Sequence, residues 1–238
     1  TATGLNYGEA SPIVPSRIAN KNYQWEVNRK LQLALDLGLW QDHLLFTIEW
    51  YRNRSGNQLV GYPLPSMTGF TNYQANLPAE VQNTGWELEV NSINIKKANL
   101  AWSTSFNLTI PRNKLLEFPD IVSTSYANMY VVGQSLGIVQ QYHFTGVDPQ
   151  TGLAIIEDLN GDGIYTNRSS YNNQGGDYII AGNTLPVWFA GISNTIQFRN
   201  FKLDIFFQYT RQEGYNLYIY SYTTFGRTFN VWKAYLNY

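Results

Sequence analysis

Val27-Asn28-Arg29-Lys30-Leu31-Gln32-Leu33-Ala34-Leu35-Asp36-Leu37-Gly38-Leu39 is the stretch whose reading decides the fold. Val27, Leu31, Leu33, Leu35, Leu37 and Leu39 share one face of a period-two pattern. Asn28, Lys30, Gln32, Asp36 and Gly38, preceded by Glu26, occupy the other. Successive side chains of a strand point to opposite sides of its sheet, so one face is greasy over the whole length and the other is wet. A barrel wall in a lipid bilayer is the leading architecture that needs so long a strand with one uniformly apolar side.

The pattern recurs along the chain. Leu44, Phe46, Ile48 and Trp50 alternate with Leu45, Thr47, Glu49 and Tyr51, and Trp86, Leu88 and Val90 with Gly85, Glu87, Glu89 and Asn91. Leu100, Trp102, Phe106, Leu108 and Ile110 oppose Ala101, Ser103, Ser105, Asn107 and Thr109. Two later segments, around Trp188 to Phe198 and Phe201 to Tyr209, repeat it. Strands are expected at about 26–39, 44–53, 81–93, 99–111, 187–199 and 201–217. The connections alternate as well: short turns at Trp40-Gln41-Asp42, Lys96 to Asn99 and Asn200, and long loops at about 53–79 and 111–185. Loops of that length count against a compact soluble domain. They are the rule on the extracellular side of an outer-membrane barrel, whose periplasmic turns are short. The expected fold is therefore all-β, an antiparallel transmembrane barrel wall with turns inside and loops outside.

Composition agrees with this reading. Aromatic residues make up 16% of the 238 residues, with 18 Tyr and 7 Trp, and charged residues only 14%. Soluble domains carry roughly 25% charge, and amphipathic rings mark membrane interfaces. Trp25, Trp40, Trp50, Trp102 and Trp188 gather near strand ends. A formal net charge of −1 supplies no field to recruit nucleic acid. Cysteine is absent, which removes disulfides and thiolate metal sites. No run approaches the ~20 apolar residues of a membrane helix. A soluble β-sandwich, for instance a carbohydrate-binding module, would also alternate, with its apolar face turned to a core.

Asp158-Leu159-Asn160-Gly161-Asp162-Gly163 is the most specific local motif. Three oxygen side chains on one short loop suit a calcium ion, but the twelfth position, where a bidentate carboxylate belongs, is Ser169. Asp177 is a distant carboxylate that could complete such a shell. The same residues also build tight turns without an ion. His43 and His143 stand far apart without ligand-spaced companions, so no metal centre is expected on them. No nucleophile elbow, phosphate loop or dinucleotide fingerprint is present. Glu87 and Glu89 share a face, as a hydrolase pair would, yet a polar barrel interior explains them without chemistry. No catalysis is expected. The expected lumen-facing polar residues are Gln32, Asp36, Glu49, Glu87, Glu89, Lys202 and Asp204. Tyr126, Tyr130, Tyr142, Tyr165, Tyr171 and Tyr178 crowd the long loop, where their rings could stack on a substrate or simply pack together.

Several segments, in order, resemble the SusC/RagA-type TonB-dependent transporters. Asn22-Tyr23-Gln24-Trp25-Glu26 resembles the start of a barrel strand in that family, and Tyr62-Pro63-Leu64-Pro65-Ser66-Met67-Thr68-Gly69-Phe70 its Pro-Leu-Pro loop. Asn83-Thr84-Gly85-Trp86-Glu87 is similar to another strand start. Gly133-Gln134-Ser135, Gly146 to Gly152, Asp158 to Gly163 and Leu185-Pro186 follow. The chain departs from the family at Arg168-Ser169-Ser170, where an Asp is usual. The resemblance implies a stretch from the later part of a barrel of about 22 strands in the Gram-negative outer membrane, without its plug or final strands. It also implies active import of an oligosaccharide or peptide, a SusD-like surface lipoprotein over the barrel, TonB acting on the plug, and contact with lipopolysaccharide.

Overall fold

The computed structural model describes residues 18–64, 66–171 and 175–214. Its main element is a six-stranded antiparallel sheet: β1 (Val27–Leu39), β2 (Leu44–Pro63), β3 (Asn72–Lys97), β4 (Leu100–Glu117), β9 (Trp188–Phe198) and β10 (Phe201–Arg211), adjacent in that order. Four short strands, β5 (Ile138–Tyr142), β6 (Phe144–Val147), β7 (Ala154–Ile156) and β8 (Tyr178–Asn183), lie between β4 and β9 and pair β5 with β8 and β6 with β7. The wall is thus an up-and-down meander interrupted once, by an insertion that leaves β4 and β9 neighbours.

The short turns fall where the sequence puts them. Trp40, Gln41 and Asp42 all take left-handed φ, from 52° to 63°, and with His43 they close the β1–β2 hairpin in four residues. Arg199 does the same at φ 53° between β9 and β10. Asx side chains tolerate this region and other non-glycine residues pay for it. Here the paired strands on either side hold the conformation.

The expected loop at 53–79 is mostly strand. β2 continues to Pro63 and β3 begins at Asn72, so that only eight residues, Leu64 to Thr71, connect them, with a 3-10 turn at Ser66–Thr68. A β-bulge hides this from a period-two reading: register shifts between Gly56 and Gln58, and Asn57 stands at φ 58°. Asn57 alone faces two residues of β3, Pro78 and Ala79, and such a mismatch reverses the phase of β2 beyond it. The segment 111–185 is likewise not one loop. β4 runs past Pro111 to Glu117, and the insertion carries its own small sheets. Pro111 lies just above Thr109↔Phe189, the last pairing between β4 and β9, so its missing N–H falls at a sheet edge. The last strand, expected to reach 217, ends at Arg211, and positions 215–217 lie outside the described residues.

With 26 residues, β3 is roughly 85 Å long at ~3.3 Å per residue. The hydrophobic core sits toward the end of β3 nearest the Leu64 to Thr71 connection, not in the middle of the wall. Leu77, Ala79 and Val81 of β3 pack against Leu115, Phe118 and Ile121, with Val60, Tyr126, Tyr130 and Leu136 around them. Leu115 is 1% exposed. Among the described residues no second large sheet covers the first. A sandwich needs that second layer, so the described residues do not favour the soluble-sandwich alternative.

Candidate functional site

Register gives the wall two chemically distinct faces. On one, Leu37, Phe46, Val90, Phe106, Ile192 and Phe207 line up across all six strands. The next row is Leu35, Ile48, Leu88, Leu108, Ala190 and Tyr209. Leu33, Trp50 and Trp86 form the row above, and Trp188 stacks on Tyr209 with ring centroids 4.7 Å apart. Many of these side chains are exposed, Leu33 at 62% and Phe207 at 65%. A contiguous apolar face of this extent, bare of protein, belongs against another apolar phase.

On the opposite face the rows read Asp36, Thr47, Glu89, Asn107, Gly191, Gln208 and Ala34, Glu49, Glu87, Thr109, Phe189, Thr210. All seven polar residues singled out from the sequence lie on this face. Six of them are tied to neighbours: Gln32 Nε2 donates to Glu49 Oε1 at 2.6 Å, Thr47 Oγ1 to Asp36 Oδ1 at 2.6 Å, and Asn91 Nδ2 to Glu89 Oε1 at 2.7 Å. Thr195 Oγ1 donates to Asp204 Oδ1 at 2.6 Å, and Lys202 Nζ stands 3.1 Å from Asp204 Oδ2. Glu49 and Glu87 oppose each other directly across the β2–β3 pair. Like charges in that position repel, which is tolerable only beside water or a cation. Above them a hollow of about 540 Å³ is bordered by Lys30, Glu49, Tyr51, Glu87, Arg112 and Leu185.

The insertion carries the rest of the candidate site. Tyr126 and Tyr130 stack with centroids 5.9 Å apart, and Phe118 meets Tyr126 at 5.9 Å. These two tyrosines pack onto the core. Tyr142 meets Tyr178 edge-on at 4.7 Å, whereas Tyr165 is 54% exposed and Tyr171 37%. The sequence grouped these rings together, and the fold separates them into packed pairs and exposed ones.

In the Asp158–Gly163 loop each side-chain oxygen of the motif already accepts a hydrogen bond. Asp158 Oδ1 and Oδ2 take the Gly161 and Gly163 amides at 2.8 Å each. Asn160 Oδ1 takes the Asp162 amide at 3.0 Å, and Asp162 Oδ1 the Ile164 amide at 2.7 Å. Asp162 Oδ2 accepts from Asn160 Nδ2 at 2.9 Å. Gly161 and Gly163, at φ 71° and 77°, allow the chain to turn that sharply. Asp177, fully buried, accepts from the Leu159 amide at 3.0 Å and the Thr166 amide at 2.7 Å. The Thr166 amide above all holds its carboxyl below the usual carboxylate range, against the opposing effect of burial. Among the described residues no three His, Cys, Asp or Glu side chains converge as metal ligands. These hydrogen bonds give the loop the form of a tight turn. Ser169, also fully buried, donates its hydroxyl to Gln140 Oε1 at 2.6 Å and thereby ties the segment after the Asp158–Gly163 loop to β5 within the insertion. Asp177 appears in the sequence reading only as a distant carboxylate, and nothing local to Ser169 marks its role there.

The two histidines stay apart. His43 Nδ1 lies 2.9 Å from the Trp40 carbonyl, while His143 Nδ1 lies 2.5 Å from Glu157 Oε2 across the β6–β7 hairpin.

No family model matches the chain. Its sequence is similar to TonB-dependent receptor P26 of Formosa agariphila, 27% identical over 239 residues, which covers 90% of this chain and 23% of that protein. TonB-dependent receptor P3 of the same organism is 26% identical over 226 residues, covering 84% of this chain and 22% of the relative. The chain thus spans about a fifth of the length of these curated relatives. Among solved structures it resembles the RagAB peptide transporter, with a TM-score of 0.66 at 18% identity over 88% of this chain and 24% of that one. The open-open state of the RagAB peptide importer gives a TM-score of 0.61 at 19% identity, covering 83% and 22%. These proteins are named as receptors and transporters rather than enzymes, in keeping with a sequence that offers no catalytic motif. Over about a fifth of their length the chain is thus similar in sequence to TonB-dependent receptors, and its fold is that of a stretch of the RagAB peptide transporter.

Proposed function

We propose that the protein lies in the outer membrane of a Gram-negative cell and takes part in TonB-dependent import of a nutrient, an oligosaccharide or a peptide. Residues 1–238 form barrel wall and extracellular loops, and the rest of the protein supplies the plug and further strands. The observation that carries this reading is the pair of faces on one sheet. One is apolar across all six strands, and the other is polar with Glu49, Glu87, Glu89 and Asp36 in adjacent rows. Lipid on one side and water on the other is the environment that such a wall needs.

The partners follow from the same reading. A SusD-like surface lipoprotein would meet the folded insertion, and TonB would act on the plug. Peptide is the cargo named for the solved neighbours, and exposed Tyr165 and Tyr171 suit either a peptide or a sugar ring.

The test is a deletion strain carrying the gene back on a plasmid, supplied with fluorescent oligosaccharide and peptide pools. Uptake of one pool that depends on the gene, and that stops when the proton gradient is collapsed, supports the reading. Gene-independent uptake of both pools, or a protein found outside the outer-membrane fraction, overturns it.

A further inference from the structure

The hollow of about 540 Å³ on the polar face holds charges of both signs that do not meet. Its floor is three rows of the register. The lowest reads Ala34, Glu49, Glu87, Thr109, the next Gln32, Tyr51, Gly85, Pro111, and the highest Lys30, Asn53, Asn83, Asn113. Among the described residues Glu87 makes no hydrogen bond or ion pair, and Glu49 only the bond from Gln32 Nε2 at 2.6 Å. The Lys30 ammonium and the Asn53 side-chain amide have no partner among them either. The remaining polar groups are spent on the fold. Arg112 Nη1 donates to the Pro111 and Val187 carbonyls at 3.0 and 3.1 Å, which holds the end of the Leu185–Val187 segment against β4. Asn113 Nδ2 donates to Asn83 Oδ1 at 2.7 Å, and Asn113 Oδ1 accepts from the Leu136 amide at 2.8 Å.

The strands fix the gap between the two poles. Glu49 and Asn53 are four residues apart on β2, so the acidic row and the Lys30 row stand ~13 Å apart at ~3.3 Å per residue. Glu49 and Glu87, directly opposite each other, repel. A ligand that relieves both poles carries a cation at one end and an anion at the other, ~10–13 Å away. An extended chain of three or four residues spans that distance at ~3.3–3.6 Å each. Its ammonium would meet two carboxylates, and its carboxylate an ammonium and an amide N–H, bonds that are strong because they are charge-assisted. Tyr51 lies between the poles, beneath the middle of such a chain, and Phe189 at its side. A neutral oligosaccharide leaves both poles without a counter-charge.

We propose that this hollow is a binding site on the inner wall that selects a zwitterion: a peptide of about three or four residues with both ends free. Its ammonium lies between Glu49 and Glu87 and its carboxylate at Lys30 and Asn53. The proposal rests on the import reading given above and decides between the two cargo classes left open there, by the charge of the cargo's ends rather than by its side chains. Such a site passes peptides of many sequences and turns away sugars and end-blocked chains.

The experiment uses the intact receptor, purified in detergent, with binding read by isothermal titration calorimetry. The probes are tetra-alanine, its N-acetyl and C-amide derivatives, and maltotetraose. Tetra-alanine is expected to bind and maltotetraose not to. Blocking either end should weaken binding about tenfold, as for the loss of one charge-assisted bond. Glu87→Gln should remove the penalty for acetylation and keep that for amidation, and Lys30→Gln should do the reverse. Misfolding does not produce that crossed pattern. Equal affinity for free and blocked peptides, or end selectivity that survives both variants, overturns the proposal. Binding of maltotetraose alone also overturns it, as does binding of no probe, since another part of the receptor would then fill the hollow. All of these outcomes leave the import reading intact where uptake still depends on the gene and on the proton gradient. Loss of that dependence overturns the import reading itself, and the site with it.

Discussion

The phenol ring of Tyr51 covers Gly85 on the neighbouring strand so closely that a Cβ at Gly85 would come within 2.5 Å of the hydroxyl and 2.6 Å of the ring carbon that bears it. The two residues are directly paired in the β2–β3 register. A glycine in a strand is weak on its own, and an aromatic neighbour that fills its empty side restores the lost contact.

Gly85→Ala is therefore expected to destabilise the wall by about 1–3 kcal/mol, the usual cost of overpacking. Tyr51→Ala in the same chain should recover part of that loss, and Tyr51→Phe should not, because the ring itself occupies the space. The midpoint of thermal unfolding in detergent measures all three. A Gly85→Ala protein as stable as wild type would show that the ring swings away freely.

Cysteines at Gln32 and Glu89 are expected to react with a membrane-impermeant thiol reagent once the barrel interior is opened, whereas cysteines at Leu33 and Leu88 stay unlabelled. The register places the first pair and the second pair on opposite faces. Leu88→Arg should cost about 2–4 kcal/mol if its row lies near the bilayer midplane. Reversed labelling would invert the wall.

The loop held by Asp177 should respond to acid in one direction. A carboxylate with a depressed folded-state pKa contributes stability above its unfolded value, about 3.9 for Asp, and loses it as pH falls through the folded value. Amide exchange at Leu159 and Thr166, two of the donors to Asp177, should stay slow from neutrality to about pH 4. Below that it should quicken. Asp177→Asn should raise exchange at neutral pH and flatten its acid dependence. An acid dependence unchanged by Asp177→Asn would assign the effect to another group.

Calcium and a chelator should leave exchange at the Gly161 and Gly163 amides alike, because Asp158 already accepts both. Asp158→Ala should speed exchange at both. Protection that appears only with calcium would restore the ion that Asp158, Asn160 and Asp162 suggest in sequence.

The legible part of the fold is the part where one face of the sheet is apolar and the other polar. From Leu31 to Leu39 no residue breaks phase, and the partners of these residues on β2 can be counted off from the Trp40-Gln41-Asp42 turn. Beyond Gly56 legibility fails, because the Asn57 bulge shifts the phase. Above it the apolar residues of β3 (Ala75, Leu77, Ala79 and Val81) lie on the face that is polar lower down. Their packing partners Phe118 and Ile121 are more than thirty residues away in sequence. The period of two that aligns the leucines also sets Gln32, Asp36, Glu49, Glu87 and Glu89 on the opposite face. The roles of Asp177 and Ser169 were not legible, because each depends on a hydrogen bond that only the folded insertion brings within reach.

The packing of Phe118, Ile121, Tyr126 and Tyr130 onto the upper part of β3 and β4 has a consequence for association. A fringe of free loops would surrender its conformational entropy each time something docked on it, at ~1–2 kcal/mol for every residue fixed. Here that entropy is surrendered once, during folding, by a segment anchored on Leu115 at 1% exposure. A molecule settling on this part of the rim meets a surface already ordered, and its contacts go into affinity and residence time instead of into arranging the receptor.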